Sequence, residues 1–336
     1  MILAGDTGGT KTVLALYDLV DDAAESPEVD GELRLVREQV FACADYTSLE
    51  AVLDAFLGSE PVELEGAGFG VAGPVVDQRA KITNLPWLID ARSLSKRLGG
   101  ISVTLLNDLQ ATALGTLVLP ASGFCVLQAQ GKPAPNGTIA VIAPGTGLGE
   151  ATLYHDGTRY VALPSEGGHA DFAPGTDEEI ELLRFLRKLH GNHVSYERVL
   201  SGAGIGDIYS FLRQTGGVPE PAWLAKEIAA GDRNAVVSTV ALAKTDPTAT
   251  RALEMFAEML GAEAGNLALR GLATGGVVIG GGIPPKILPA LQAGGFLARF
   301  NDKGRFSTWA RALGVRVALE PRAALYGAAH AVVTSR

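Results

Sequence analysis

Cysteine is nearly missing from this chain. Cys43 and Cys125 are the only two among 336 residues, and neither stands in a C-x-x-C pair or a Cys/His cluster. That excludes a disulfide framework and a cysteine-built zinc site, and it fits a reducing compartment. Charge is also sparse, at 19% of residues, and it leans acidic: 28 basic against 37 acidic side chains leave a formal net charge of −9. No run of Lys or Arg offsets this, so a nucleic-acid partner is disfavoured by repulsion from the phosphate backbone. An anionic small molecule is not disfavoured, because backbone N–H groups bind phosphate without net positive charge. No stretch reaches the roughly 18 apolar residues of a spanning helix, so no membrane partner is expected. The opening MILAGDTGGT lacks the basic and apolar regions of a signal peptide. A cytoplasmic setting is therefore expected.

Glycine, by contrast, is abundant. It supplies 42 of the 336 residues, one in eight, against a usual share of roughly 7%. The glycines have no three-residue period, which excludes collagen. Apolar residues make up 47% of the chain, enough to offset the ordering entropy that keeps polar tracts disordered. The length allows about two domains.

The pattern along the chain predicts α/β organisation. Residues 2–5 and 12–19 read as strands flanking the turn DTGGTK (6–11). An acidic segment over 20–32 reads as a surface loop, and RLVREQVFAC as a further strand. SLEAVLDAFL reads as a helix capped by Ser48, with Leu49, Val52, Leu53 and Phe56 on one face. GAGFGVAGPV and ISVTLLND read as strands, and LQATALGTLVL as a helix. TIAVIA (138–143), the turn APGTGLG (143–149) and EATLYHDG then repeat the opening strand–turn–strand unit. DEEIELLRFLRKLHG reads as a helix opened by a Thr176/Glu179 capping box and ended by Gly191. Its acidic residues 177–179 suit the first-turn macrodipole better than a metal. The two echoing units, with no linker between them, predict two related α/β domains and a ligand cleft between them.

The glycine turns are candidate phosphate cradles. In DTGGTK, Gly8 and Gly9 permit close backbone approach, successive N–H groups form an anion nest, and Thr7, Thr10 and Thr12 add hydroxyls. Asp6 can hold Mg²⁺ through water. An ordinary hairpin turn accounts for the same letters. In APGTGLG, Gly145, Thr146 and Gly147 repeat the case. A third cluster, Gly280, Gly281 and Gly282 before Pro284, either packs under an adenine or simply turns strand into helix. Two motifs fail on context. GTKT (9–12) lacks the glycine that a P-loop has before its lysine, and a strand follows it rather than a helix. GFGVAG (68–73) matches G-x-G-x-x-G by letter, but Pro74 follows and no helix opens, so a nicotinamide enzyme is excluded.

The polar candidates are few. Asn107 and Asp108 end a strand, where α/β proteins gather functional groups. Asp108 there is either a general base or the N-cap of the next helix, or both. Glu166, His169 and Asp171 lie on the glycine loop SEGGHADF, which suits a ligand-binding edge. His169 is also a metal-ligand candidate, with no cysteine cluster to support it. Glu197 reads as an exposed helical glutamate.

Taken in order, GDTGGTK, AGPV, TNLPW, LLND, APGTGLG, SEGGHADFAP, ERVLSG and GGGIP closely resemble the bacterial glucokinases of the actin-like, ribonuclease-H-like ATPase superfamily. The resemblance spans nearly the whole chain, and EGGHADFAP with ERVLSG is its most specific part. It implies two actin-like α/β domains closing on glucose and ATP, the small one built from 1–110 plus about 321–336 and the large one from 111–320. By resemblance, the DTGGTK turn (Asp6, Thr7, Gly8, Gly9, Thr10, Lys11) and Gly145, Thr146 and Gly147 hold the Mg²⁺-bound phosphates of ATP. Gly281 and Gly282 line the adenosine pocket. Asn107, Asp108, Glu166, His169 and Glu197 correspond to the sugar contacts, with Asp108 as base. Lys11 stands where some members carry asparagine. The zinc-binding cysteine motif of the related repressor/open-reading-frame/kinase branch is missing, so zinc is not expected. A homodimer is the expected assembly. The competing functions are a kinase for another hexose, a sugar-sensing regulator on the same fold, and an actin-like filament or chaperone ATPase. The regulator would need a DNA-binding helix pair ahead of Asp6, and the filament has no use for the polar loop 165–171.

Overall fold

The computed structural model of the protein describes residues 1–19, 33–58, 62–82, 85–131 and 134–335. The acidic segment 20–32 lies outside the described residues, as do Thr83 and Asn84 of the TNLPW motif. The strands before residue 110 are β1 (Ile2–Thr7), β2 (Lys11–Leu19), β3 (Leu33–Ala42), β4 (Gly66–Val71), β5 (Val75–Val76), β6 (Arg79–Lys81), β7 (Leu88–Asp90) and β8 (Ser102–Asn107). Those that follow are β9 (Phe124–Gln128), β10 (Ile139–Pro144), β11 (Leu148–His155), β12 (Tyr160–Ser165), β13 (Gly276–Ile279) and β14 (Val315–Ala318).

One mixed sheet has the order β3–β2–β1–β4–β8, and a small antiparallel sheet the order β5–β6–β7. A further sheet has the order β12–β11–β10–β13–β14–β9. In the first, β1 runs antiparallel to β2 and parallel to β4, and β4 is parallel to β8. The runs ILAGDT and GAGFGV are almost wholly buried, as parallel strands covered on both faces require. Leu3, Leu14, Phe41, Leu53 and Phe69 join one core with Trp87 and Leu105.

The helices follow their local signals. Ser48 accepts from Ala51 N to open Leu49–Leu57, which buries the four expected residues. Asp177–His190 begins at Thr176, whose hydroxyl accepts from Glu179 N, and ends at Gly191 with φ 89°. Only half of the expected capping box forms. The Glu179 carboxylate accepts instead from Gly175 N (2.6 Å) and from Arg299 (3.0 Å), because an ion pair holds this buried side chain more strongly than the Thr176 amide would. Glu178 likewise pairs with Arg251 (2.7 Å), so neighbouring side chains, as well as the helix dipole, account for the acidic triplet.

The chain divides into two compact units, one of 1–125, 151–164 and 318–336, the other of 126–150 and 165–317. The expected boundary at 110 would fall within the helix Asp108–Gly115, and the structure keeps that helix in the first unit. Residues 151–164 join the same unit, where Gln110 Nε2 donates to Ala162 O (2.9 Å). In this unit the helix Ala323–Val333 lies directly on Asp108–Gly115 and on β4. A Cβ on Gly115 would run into Ala323 O, one on Gly327 into Ala111 O, and one on Gly68 into Ala328 O. Gly68, the first glycine of the dinucleotide look-alike GFGVAG, therefore lets a helix approach the sheet.

Candidate active site

In the first unit the candidate residues meet at the carboxyl ends of three parallel strands. Thr7, Val71 and Asn107 stand in one row across β1, β4 and β8, and Asp6 pairs with Gly70 one step before it. Gly70 lies beside the helix start, with Ala111 Cβ and the Asp108 backbone next to it. Asp6 and Asp108 face each other closely enough to interact: burial pushes the Asp6 carboxyl up to about 6, the Asp108 charge adds to this, and Lys11 opposes it. The DTGGTK turn closes with Gly8 N donating to Lys11 O (3.0 Å). Cys43 braces it from behind: its N–H donates to Thr10 O (2.9 Å) and its thiol lies 3.5 Å from both Gly8 O and Thr12 Oγ1. Thr7 Oγ1 is buried without a hydrogen-bond partner.

The N-cap of the helix after β8 is Asn107, not Asp108. Asn107 Oδ1 accepts from Leu109 N (2.9 Å), Gln110 Oε1 accepts from Asn107 N (3.1 Å), and the two complete a capping box. Asn107 Nδ2 donates one of its two N–H groups to Gly73 O (3.2 Å). Asp108 thereby becomes the first helical residue, partly exposed at the positive end of the helix.

In the second unit Gly145, Thr146 and Gly147 follow β10, and Gly281 and Gly282 follow β13, its parallel neighbour. The two turns touch. Gly280 N donates to Ile142 O (2.8 Å), and Gly281 has φ 86°, where a Cβ would run into Pro144 O. Gly145 instead faces open space, the room a phosphate cradle requires. Glu197 lies in the short helical turn Tyr196–Arg198, half-buried rather than on an exposed helix face. Its Oε2 accepts from Leu148 N (3.0 Å), and a Cβ on Gly147 would strike the same oxygen. Glu166 and His169 share the exposed turn around Gly167–His169, with Glu166 Oε2 3.9 Å from His169 Nε2. Gly168 packs against Leu148 O. The start of β11 thus gathers the phosphate turn, the polar loop and Glu197.

Asp171 is turned to another use. Its Oδ1 lies 2.9 Å from His193 Nδ1, and His193 Nε2 lies 3.1 Å from His169 O. His193 ties the loop down across 22 residues, a role that no local sequence pattern announces. Among the described residues no three His, Cys, Asp or Glu side chains gather as a metal site, so His169 finds no co-ligands there.

A glucokinase family model matches residues 3–335. The glucokinase of Nostoc punctiforme is 40% identical over 343 residues, covering 98% of each chain. The chain belongs to the glucokinase family. A solved glucokinase from an Antarctic psychrotroph is 32% identical with a TM-score of 0.85, covering 99% of this chain and 98% of its own. The Streptomyces griseus glucokinase of the ROK family, solved with glucose and AMPPNP, has a TM-score of 0.61 at 21% identity over 99% of both chains, which is a likeness of fold alone. The α/β architecture with mixed sheets is thus one that glucokinases and ROK-family sugar kinases share.

Proposed function

We propose that the chain catalyses the glucokinase reaction (ATP:D-glucose 6-phosphotransferase), moving the γ-phosphoryl group of ATP to the 6-hydroxyl of glucose. The observation that carries this is the meeting of Asp108 and Asp6 at the ends of β8 and β1, in a chain whose relatives at up to 40% identity are glucokinases. Phosphoryl transfer asks mainly for positioning and charge stabilisation. Asp108 accepts the hydroxyl proton as the new bond forms. Asn107, Glu166, His169 and Glu197 hydrogen-bond the sugar, so a sugar lacking one hydroxyl leaves a partner unpaired. The turns at 6–11 and 145–147 offer N–H and hydroxyl donors to the phosphates, and Gly281 and Gly282 line the adenosine pocket, Gly282 facing open space.

Asp6 would hold Mg²⁺ through water. The residues fit this role, since one partly buried carboxylate beside a phosphate cradle suits an ion that keeps most of its hydration shell. When bound, Mg²⁺ neutralises charge on the phosphate oxygens. The two compact units correspond to the actin-like domains, and a homodimer is the assembly. The setting is cytoplasmic in this reading; among the described residues no helix is long and apolar enough to cross a membrane.

ADP release across a panel of hexoses and phosphoryl donors, with and without Mg²⁺, tests the proposal. Glucose with ATP and Mg²⁺ is expected to give the highest kcat/KM. Preference for another hexose overturns the sugar assignment, and ADP release that ignores sugar overturns the kinase.

A further inference from the structure

Directly beneath the polar loop lies a buried acidic pair that the proposed chemistry does not use. Glu150, one residue past the APGTGLG turn, is 1% exposed, and Glu263, on the helix Pro247–Gly271, is 0% exposed. Arg270, two turns further along that helix, donates from Nη2 to Glu150 Oε2 (3.2 Å) and to Glu263 Oε1. One guanidinium faces two carboxylates, so full ionisation would leave a net buried negative charge, which is costly. Glu150 Oε1 is buried without a hydrogen-bond partner. Burial pushes the Glu150 carboxyl up to about 8, with the Glu263 charge adding and Arg270 opposing.

Around Glu263 the cluster is otherwise satisfied. Asn266 Nδ2 donates to Glu263 Oε2 (3.0 Å) and to Tyr196 OH (3.3 Å), and Lys303 Nζ donates to Asn266 Oδ1 (3.0 Å). Tyr196 and Lys303 are the other ionisable groups facing Glu263. The cluster also reaches three parts of the candidate site. A Cβ on Gly167 would run into Glu150 Oε2. Ser165 Oγ donates to Glu150 O (2.9 Å) and accepts from Gly167 N (3.1 Å). Tyr196 immediately precedes Glu197.

We propose that Glu150 is a positioning residue for glucose: in its protonated form it shares its hydrogen with the Glu263 carboxylate and so supports the loop carrying Glu166 and His169. Ionisation adds a second buried negative charge against one Arg270 and pushes Glu150 toward Gly167, loosening the loop. The inference rests on the glucokinase reading above. It makes glucose binding weaken with rising pH while phosphoryl transfer, carried by Asp108 in the other unit, does not.

The test is the pH profile of KM for glucose, of kcat, and of glucose affinity by calorimetry without nucleotide. Wild type should lose ~5-fold or more in glucose affinity between about pH 7 and about pH 9, with kcat changing less than ~2-fold. Glu150→Gln, a neutral isostere of the protonated acid, should match wild type near neutrality and stay flat above it. Glu263→Gln removes the like charge and should move the wild-type step to lower pH, which keeps the test open if Glu150→Gln folds poorly. A flat wild-type profile, or a Glu150→Gln profile that follows wild type, overturns this proposal alone. A wild-type chain that neither binds nor phosphorylates glucose overturns the kinase reading as well.

Discussion

The turns DTGGTK and APGTGLG repeat one sequence pattern, yet each sits in its own unit and is held in a different way. The first brings two carboxylates together, Asp6 within the turn and Asp108 at a neighbouring strand end. Its backing is Cys43, which offers one amide and one weak thiol contact. The second contains no acid. A carboxylate from elsewhere, Glu197, is turned onto its backbone at Leu148 N, and Gly202 N donates to Gly145 O (2.9 Å). The first turn carries its own carboxylate, while the second borrows one to fix its shape. Similar strand–turn–strand units are therefore stabilised by different side chains, one just past the end of the neighbouring strand β3 and one from a distant helical turn.

Asp108→Asn attacks the first unit where the effect is expected to be largest. It should lower kcat by at least ~10²-fold, the low end for a lost general base, with an unchanged far-UV spectrum and Tm. A near-normal kcat would remove Asp108 from that role. Gly147→Ala attacks the second unit, since the new Cβ meets Glu197 Oε2. Displacing both the turn and Glu197 should cost about 10-fold or more in kcat/KM, as small misplacements of binding groups do. Steady-state kinetics with glucose and ATP each varied would show both KM values rising, and a change in one alone would mean that the two are not coupled there.

Asp6→Asn sharpens the contrast in stability rather than rate. The folded carboxyl holds its proton up to about 6 against an ordinary 3.8, so the folded state binds more protons than the unfolded state through that window. Stability must fall as pH rises from about 4 to about 6 and then level off. Asparagine has no such step. The variant should be more stable than wild type at neutral pH by up to ~3 kcal/mol and equal to it below about pH 4, as read by denaturant melts at each pH. Equal stability at pH 7 would mean that the Asp6 charge is well solvated.

Local signals were legible where one element carried them. The apolar runs of β1 and β10, Ser48 before Leu49–Leu57, and Thr176 and Gly191 around Asp177–His190 all behave as their spacing predicts. The cap expected at Asp108 falls instead at Asn107, because backbone direction at the strand end decides which side chain reaches the free amides. Glu179 left its capping partner for Arg299, 120 residues away. His193 and Cys43 brace candidate loops across shorter gaps, 22 and 35 residues, where again no period or motif operates.

The glycines divide along the same line. Sequence alone determined that this is a folded, glycine-rich α/β chain with glucokinase motifs in order, because strand periodicity, turn chemistry and short motifs are local properties of the backbone. Only the tertiary structure decided which glycines face open space and which serve packing. Gly145 faces open space, whereas Gly68, Gly115 and Gly327 let the helix Ala323–Val333 lie against β4 and Asp108–Gly115. It likewise decided that Glu150, unremarkable among its apolar neighbours in sequence, shares one arginine with Glu263. A missing Cβ and a buried charge take their meaning from the atoms they meet, and those atoms lie more than a hundred residues away.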